Sequence, residues 1–92
     1  MARIAARKDA NHDEIKDAFE RMGWRTIDTF NSNGTMLDLL IYKFNRPPLF
    51  IEVKSKYGEL TDREERFIER HPERSRIVRS FEDAINVNYE ES

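Results

Sequence analysis

Ile15, Ala18, Phe19 and Met22 recur at helical spacing, and this apolar stripe predicts a first helix over residues 12–22. Asn11 stands at its start with Glu14 three residues on, a capping-box arrangement, and Gly23 suits the left-handed residue that ends a helix. Trp24, Thr26 and Asp28 then alternate with Arg25, Ile27 and Thr29 before Phe30, which predicts a strand closed by the turn-rich Asn31-Ser32-Asn33-Gly34. The strongest strand signals are MLDLLIYK at 36–43 and LFIEVK at 49–54, joined by Phe44-Asn45-Arg46-Pro47-Pro48 as an antiparallel hairpin. After Gly58, Thr61-Asp62-Arg63-Glu64 has capping-box form and opens a helix with Phe67 and Ile68 inward, stopped by His71-Pro72. Arg76-Ile77-Val78 predicts a short strand, and Ser80 caps a last helix carrying Phe81, Ala84 and Ile85. The order is αβββαβα, with no internal repeat and no low-complexity segment.

Ninety-two residues suffice for one small domain, which hides only about 60–65% of the surface its unfolded chain exposes. The expected organisation is a basic arm over 1–10, a single domain over 11–88 and an acidic, fraying tail over 89–92. No apolar run approaches the roughly 18–20 residues of a membrane span, and MARIAARKDA has neither the apolar stretch nor the cleavage site of a secretory signal, so an intracellular, cytoplasmic protein is expected. The absence of cysteine removes disulfides, thiolate zinc sites and thiol nucleophiles, so any metal must sit on oxygen or imidazole. Sixteen Lys plus Arg against eighteen Asp plus Glu give a net charge of −2, which excludes attraction to nucleic acid by bulk charge. Between Lys54 and Arg79 eight basic residues face six acidic ones, a stretch that reads either as a solvated helix surface or as a local phosphate-binding face.

The chemistry is concentrated in the hairpin. Leu37, Leu39 and Ile41 share one face of the second strand, and Met36, Asp38, Leu40 and Tyr42 share the other, so Asp38 is a carboxylate among apolar neighbours that needs a compensating partner. In the third strand Glu52 and Lys54 project together on the face opposite Leu49, Ile51 and Val53, about 7 Å apart. A tight hairpin centred near Asn45 sets residue 38 opposite residue 52, and a slip of two sets it opposite 54. Either register gathers Asp38, Glu52 and Lys54 on one face, because side chains alternate with period two. Two carboxylates roughly 5 Å apart must share a proton or bind a hard cation through oxygen. Taken singly, Glu-x-Lys reads as an exposed strand pair and Asp38 as a surface residue; their conjunction, matching parity and the nearby basic stretch favour the cation, Mg²⁺ or Mn²⁺. Lys54 would then hold the attacking water or hydroxide and offset charge on phosphorus.

Asp38 followed by Glu52-Val53-Lys54 resembles the PD-(D/E)xK motif of restriction-endonuclease-like nucleases. Arg7-Lys8-Asp9-Ala10-Asn11, Glu14-Ile15, Leu37-Asp38-Leu39-Leu40, Ile51-Glu52-Val53-Lys54, Gly58, Leu60-Thr61 and Glu64 together resemble the short stand-alone VRR-NUC nucleases, many of them viral, over roughly residues 7–87. The resemblance implies a restriction-endonuclease-like α/β core, αβββαβ with a mixed sheet flanked by helices, followed here by a short C-terminal helix. It further implies a divalent-metal endonuclease on DNA, with related phage-type members acting as homodimers on branched structures such as Holliday junctions. Carried over by position, Asp38 and Glu52 are metal ligands, the Val53 carbonyl a further ligand, Lys54 the catalytic amine and Glu14 the helix-one acid, which could also serve in the capping box. Glu64 matches a polar position often occupied by glutamine. Leu37 departs from the motif's usual proline, and Thr35-Met36 differs as well, which bears on backbone shape and not on ligation. Cleavage of RNA, or a non-catalytic accessory that retains the fold, remains an alternative.

The other side chains suggest structural roles. His12 and His71 lie at helix ends without a ligand partner at i+3 or i+4 and are expected at the surface, and Trp24, Phe19, Phe67 and Phe81 fall at core positions. Tyr57, just past the third strand, either packs on the site or touches the nucleic-acid backbone.

Overall fold

The computed structural model describes residues 11–30 and 35–91, so the basic arm at 1–10, the turn at 31–34 and Ser92 lie outside the described residues. Its elements are α1 (His12–Arg21), β1 (Arg25–Asp28), β2 (Leu39–Tyr42), β3 (Leu49–Val53), α2 (Asp62–Arg70), β4 (Ser75–Val78) and α3 (Phe81–Glu90), in the predicted order. The strands lie side by side as β1-β2-β3-β4. The first two pairings are antiparallel and β3 runs parallel to β4, so the sheet is mixed and α2 supplies the crossover a parallel neighbour requires.

The hairpin register follows from its turn. Leu39 pairs with Ile51 and Ile41 with Leu49, which centres the hairpin on Asn45, whose φ of 67° lies in the left-handed region that asparagine tolerates. Leu39, Ile41, Leu49, Ile51, Val53 and Val78 turn one face of the sheet toward α1 and α3, where Ile15, Ala18, Phe19, Ala84 and Val87 complete the core. Gly23, at φ 96°, turns the chain out of α1 and into β1. Trp24 closes this end of the core, its indole N–H donating to Asn88 Oδ1 at 3.0 Å and its ring carrying the Lys43 ammonium 4.7 Å from the centroid.

The opposite sheet face is covered only beside β3, by α2. Phe67 of α2 meets Phe50 edge-on at 5.1 Å, yet no residue of α2 is fully buried, and Ile27, Tyr42 and Ile77 stay exposed on this side. The predicted capping box opens α2: Thr61 Oγ1 accepts the Glu64 N–H at 3.2 Å and Glu64 Oε1 accepts the Thr61 N–H at 2.8 Å. Thr61→Ala therefore leaves an orphaned helix donor and is expected to lower stability by about 1 kcal/mol, seen as a shift of the urea midpoint at unchanged slope.

Four expectations are corrected. Asn11 makes no side-chain cap to α1; its amide instead donates to the carbonyls of Lys54 at 3.3 Å and Arg79 at 3.2 Å, a task that needs two donors and that a hydroxyl or carboxylate cap cannot perform. His12 is buried at 1% exposure, since it lies one turn before Ile15 on the same stripe and lodges against Asp28 and the edge of Phe30. Phe81 is 57% exposed: it is the first residue of α3, and side chains there tilt back past the helix end and away from the core. The acidic end does not fray at Tyr89, because α3 continues to Glu90 and Arg76 pairs with Glu90 at 3.4 Å and Glu91 at 3.2 Å. Among the described residues no helix is long and apolar enough to cross a membrane.

Candidate active site around Asp38, Glu52 and Lys54

Asp38 sits one residue before β2, its N–H bonded to the Ile51 carbonyl at 3.0 Å, and its carboxyl lies close enough to Glu52 for the two to interact by hydrogen bond and charge. Of the two predicted registers the structure adopts the one centred on Asn45. Glu52 is held in mid-strand at 2% exposure, with the parallel β4 on its other side and Ile77 as its partner there. Asp38 Oδ2 accepts the Val53 N–H at 2.9 Å, which aims the aspartate along β3 toward the glutamate. Lys54 lies just past β3, its ammonium 2.9 Å from Glu64 Oε1 and 3.5 Å from Glu52 Oε2.

The electrostatics divide these four groups. Burial, and then the neighbouring Asp38 charge, push the Glu52 carboxyl up to about 10, so without a cation it carries its proton at neutral pH. Burial also raises Asp38, although the Val53 N–H opposes it. Burial works against the charge on Lys54, but the Glu64 hydrogen bond and the Glu52 charge outweigh it and leave the amine's pKa raised. For Glu64 burial is again the largest influence, and the Thr61 N–H, a hydrogen bond with Glu52 and the Lys54 ammonium together overcome it to hold the carboxylate below its usual range. Lys54 and Glu64 thus form the ion pair, and the 3.5 Å contact to Glu52 becomes one only when Glu52 loses its proton.

A divalent cation suits this donor set in one specific respect. Glu52 Oε1 is buried and accepts no hydrogen bond, an orphaned acceptor on a carboxyl that interacts with Asp38. Among the described residues no three His, Cys, Asp or Glu side chains converge as a metal site. The fit is therefore to a hard ion held by Asp38 and Glu52 that takes its remaining oxygens from elsewhere, as Mg²⁺ commonly does from water and substrate phosphate. The resemblance adds the Val53 carbonyl to that set. Glu14 is not brought to the cluster; it is exposed on the first turn of α1.

Two groups near the site escaped the sequence reading. Arg79, counted there only as part of a basic stretch, donates from one guanidinium nitrogen to the carbonyls of Ser55 at 2.8 Å and Gly58 at 2.6 Å, fixing the loop that follows Lys54. His12 Nε2 lies 2.8 Å from Asp28 Oδ1; the hydrogen bonds from His12 and Lys16 hold Asp28 below the usual carboxylate range. His12 had a legible signal, since residues 12, 15, 19 and 22 fall on one helical stripe. Arg79 had none, because its acceptors are backbone carbonyls more than twenty residues away.

Fold and site together define an α/β protein with a mixed four-stranded sheet, bearing a carboxylate pair and an amine beside the end of its central hairpin. Comparison of the chain with family models, with curated proteins and with solved structures yields no match.

Proposed function

We propose that the protein is a divalent-metal-dependent endonuclease of restriction-endonuclease-like type, hydrolysing DNA phosphodiester bonds. The observation that carries this reading is the approach of the Asp38 carboxyl to Glu52, whose buried Oε1 lacks any donor, next to a lysine amine. Asp38 and Glu52 would hold Mg²⁺ or Mn²⁺, which when bound supplies Lewis-acid neutralisation of a phosphoryl oxygen and a more acidic water. Lys54 orients the attacking water and offsets negative charge gathering on the phosphorus oxygens. Glu64 holds the amine until substrate arrives and, tied to the Thr61 N–H, fixes where it stands. Val53 contributes through its backbone, aiming Asp38 with its N–H and offering its carbonyl by analogy. Glu14, exposed as it is, is kept as the helix-one acid on the resemblance alone. The same ground supports a homodimer cutting branched DNA such as a Holliday junction, and an intracellular, virus-encoded setting.

The direct test is calorimetric titration of Mn²⁺ into wild type, Asp38→Ala and Glu52→Ala. Wild type is expected to bind one ion per chain with release of protons, because Glu52 must deprotonate to ligate, and each variant should weaken binding at least tenfold. Absence of binding heat in wild type overturns the metal site. Incubation with Mn²⁺ and a four-way junction, linear duplex, single strand or RNA then identifies the substrate.

A further inference from the structure

Tyr57 is 84% exposed on the loop directly after Lys54, so it does not pack on the site. Exposure alone says little, but this loop is unusually well held. The Gly58 N–H bonds to the Ser55 carbonyl at 3.2 Å and closes a turn, with Lys56 and Tyr57 at its tip. One Arg79 nitrogen grips both ends of that turn through Ser55 O and Gly58 O, and approaches Lys56 O at 3.5 Å. Arg79 is itself anchored, its carbonyl taking the Asn11 amide and its N–H donating to Asp83 Oδ2 at 2.8 Å. A side chain at Gly58 would have its Cβ 3.0 Å from Ser55 Oγ and 3.5 Å from Lys54 Cδ, so the loop lies closely against the stem of the amine-bearing residue. The Lys56 ammonium stands 5.4 Å from the centre of the Tyr57 ring.

A large aromatic ring is thus presented to solvent on a rigid mount beside Lys54, with a cation at its side. Resting on the nuclease reading, we infer that Tyr57 is a stacking platform for an unpaired nucleobase next to the scissile phosphate, with Lys56 meeting the adjoining phosphate. An unpaired base has a free π-face, whereas a base inside a duplex is already stacked on its neighbours, so the platform selects strands that are single or splayed at the cut. The mount matters because a backbone already held in its turn leaves only the side chain's own rotation to be lost on binding. Lys56 adds a salt-dependent attraction without sequence preference.

The experiment measures binding of a fluorescein-labelled single-stranded DNA by anisotropy, in EDTA and in Ca²⁺, for wild type, Tyr57→Phe, Tyr57→Ala and Tyr57→Trp. Tyr57→Phe should keep the affinity, and Tyr57→Ala should lose about tenfold or more. The Tyr57→Trp fluorescence should be quenched by the oligonucleotide over the steady signal of the buried Trp24, the chain's only native tryptophan. Matching duplex should show little dependence on residue 57. Equal affinity of Tyr57→Ala and wild type, or no binding of single strands in either buffer, overturns the platform. Cleavage with Mn²⁺ is scored separately: a wild type that cuts while Tyr57→Ala binds and cuts equally well refutes the platform and leaves the nuclease standing, whereas no binding and no cleavage sinks both.

Discussion

Lys54→Ala is expected to fold and bind Mn²⁺ like the wild type yet cut DNA at least 10²–10³-fold more slowly, the loss usual when one preorganised donor to transition-state charge is removed. Folding survives because the partner left behind is not stranded: Glu64 is only part-buried and retains the Thr61 N–H at 2.8 Å. Metal binding survives because both proposed ligands remain, Glu52 giving up only the 3.5 Å contact of its Oε2 to the ammonium, while Asp38 keeps the Val53 N–H. A time course on the best substrate, paired with the Mn²⁺ titration, separates the outcomes. Unimpaired cutting removes Lys54 from the chemistry, and joint loss of cutting and metal affinity makes it an organiser of the carboxylates.

Glu52→Gln should make the metal-free protein more stable at neutral pH while abolishing Mn²⁺ binding. Glu52 has a folded pKa of about 10 against an ordinary value of 4.5, so the fold favours its protonated form. The stabilisation is complete below about pH 4.5 and is withdrawn as pH rises toward 10, at a limiting rate of about 1.4 kcal/mol per pH unit. Asp38, also raised, acts in the same sense. Glu64 and Asp28 act oppositely, since their depressed values give stability that disappears only as pH falls into the acid range. Thermal melts of the metal-free wild type should therefore drop from pH 5 to pH 9 and recover on adding Mn²⁺, which binds the folded state alone. The glutamine variant should melt higher at pH 7 to 9, show a flatter profile and ignore Mn²⁺. A wild-type profile that rises over this interval would mean that Glu52 is ionised and compensated by a donor.

The hairpin was legible because it depends on local regularities. Alternation along the strands anticipated that Asp38, Glu52 and Lys54 come near one another, and an asparagine able to take a positive φ settled which of two registers forms. The Thr61–Glu64 box was legible for the same reason, with both partners inside one turn of chain. Its second use was not: the carboxylate that caps α2 also grips Lys54, and only the packing of α2 on β3 brings the two within 2.9 Å. Asn11 misled because its type suits a helix cap while its two donors suit strand-end carbonyls, and the choice depends on what lies opposite. Phe81 misled because hydrophobicity marks a face of a helix and says nothing about where along its length the core stops.

Arg79 also ties the loop after Lys54 to a distant part of the chain. The β2–β3 ribbon is a short-range structure that closes through a tight turn, so the mutually repelling acids can meet early. The guanidinium that steadies the loop after Lys54 comes from the far end of β4, a strand that docks only after α2 has crossed over. The cradle for the amine consequently depends on contacts spanning 21 and 24 residues, and it is complete only where β4 lies in place beside β3.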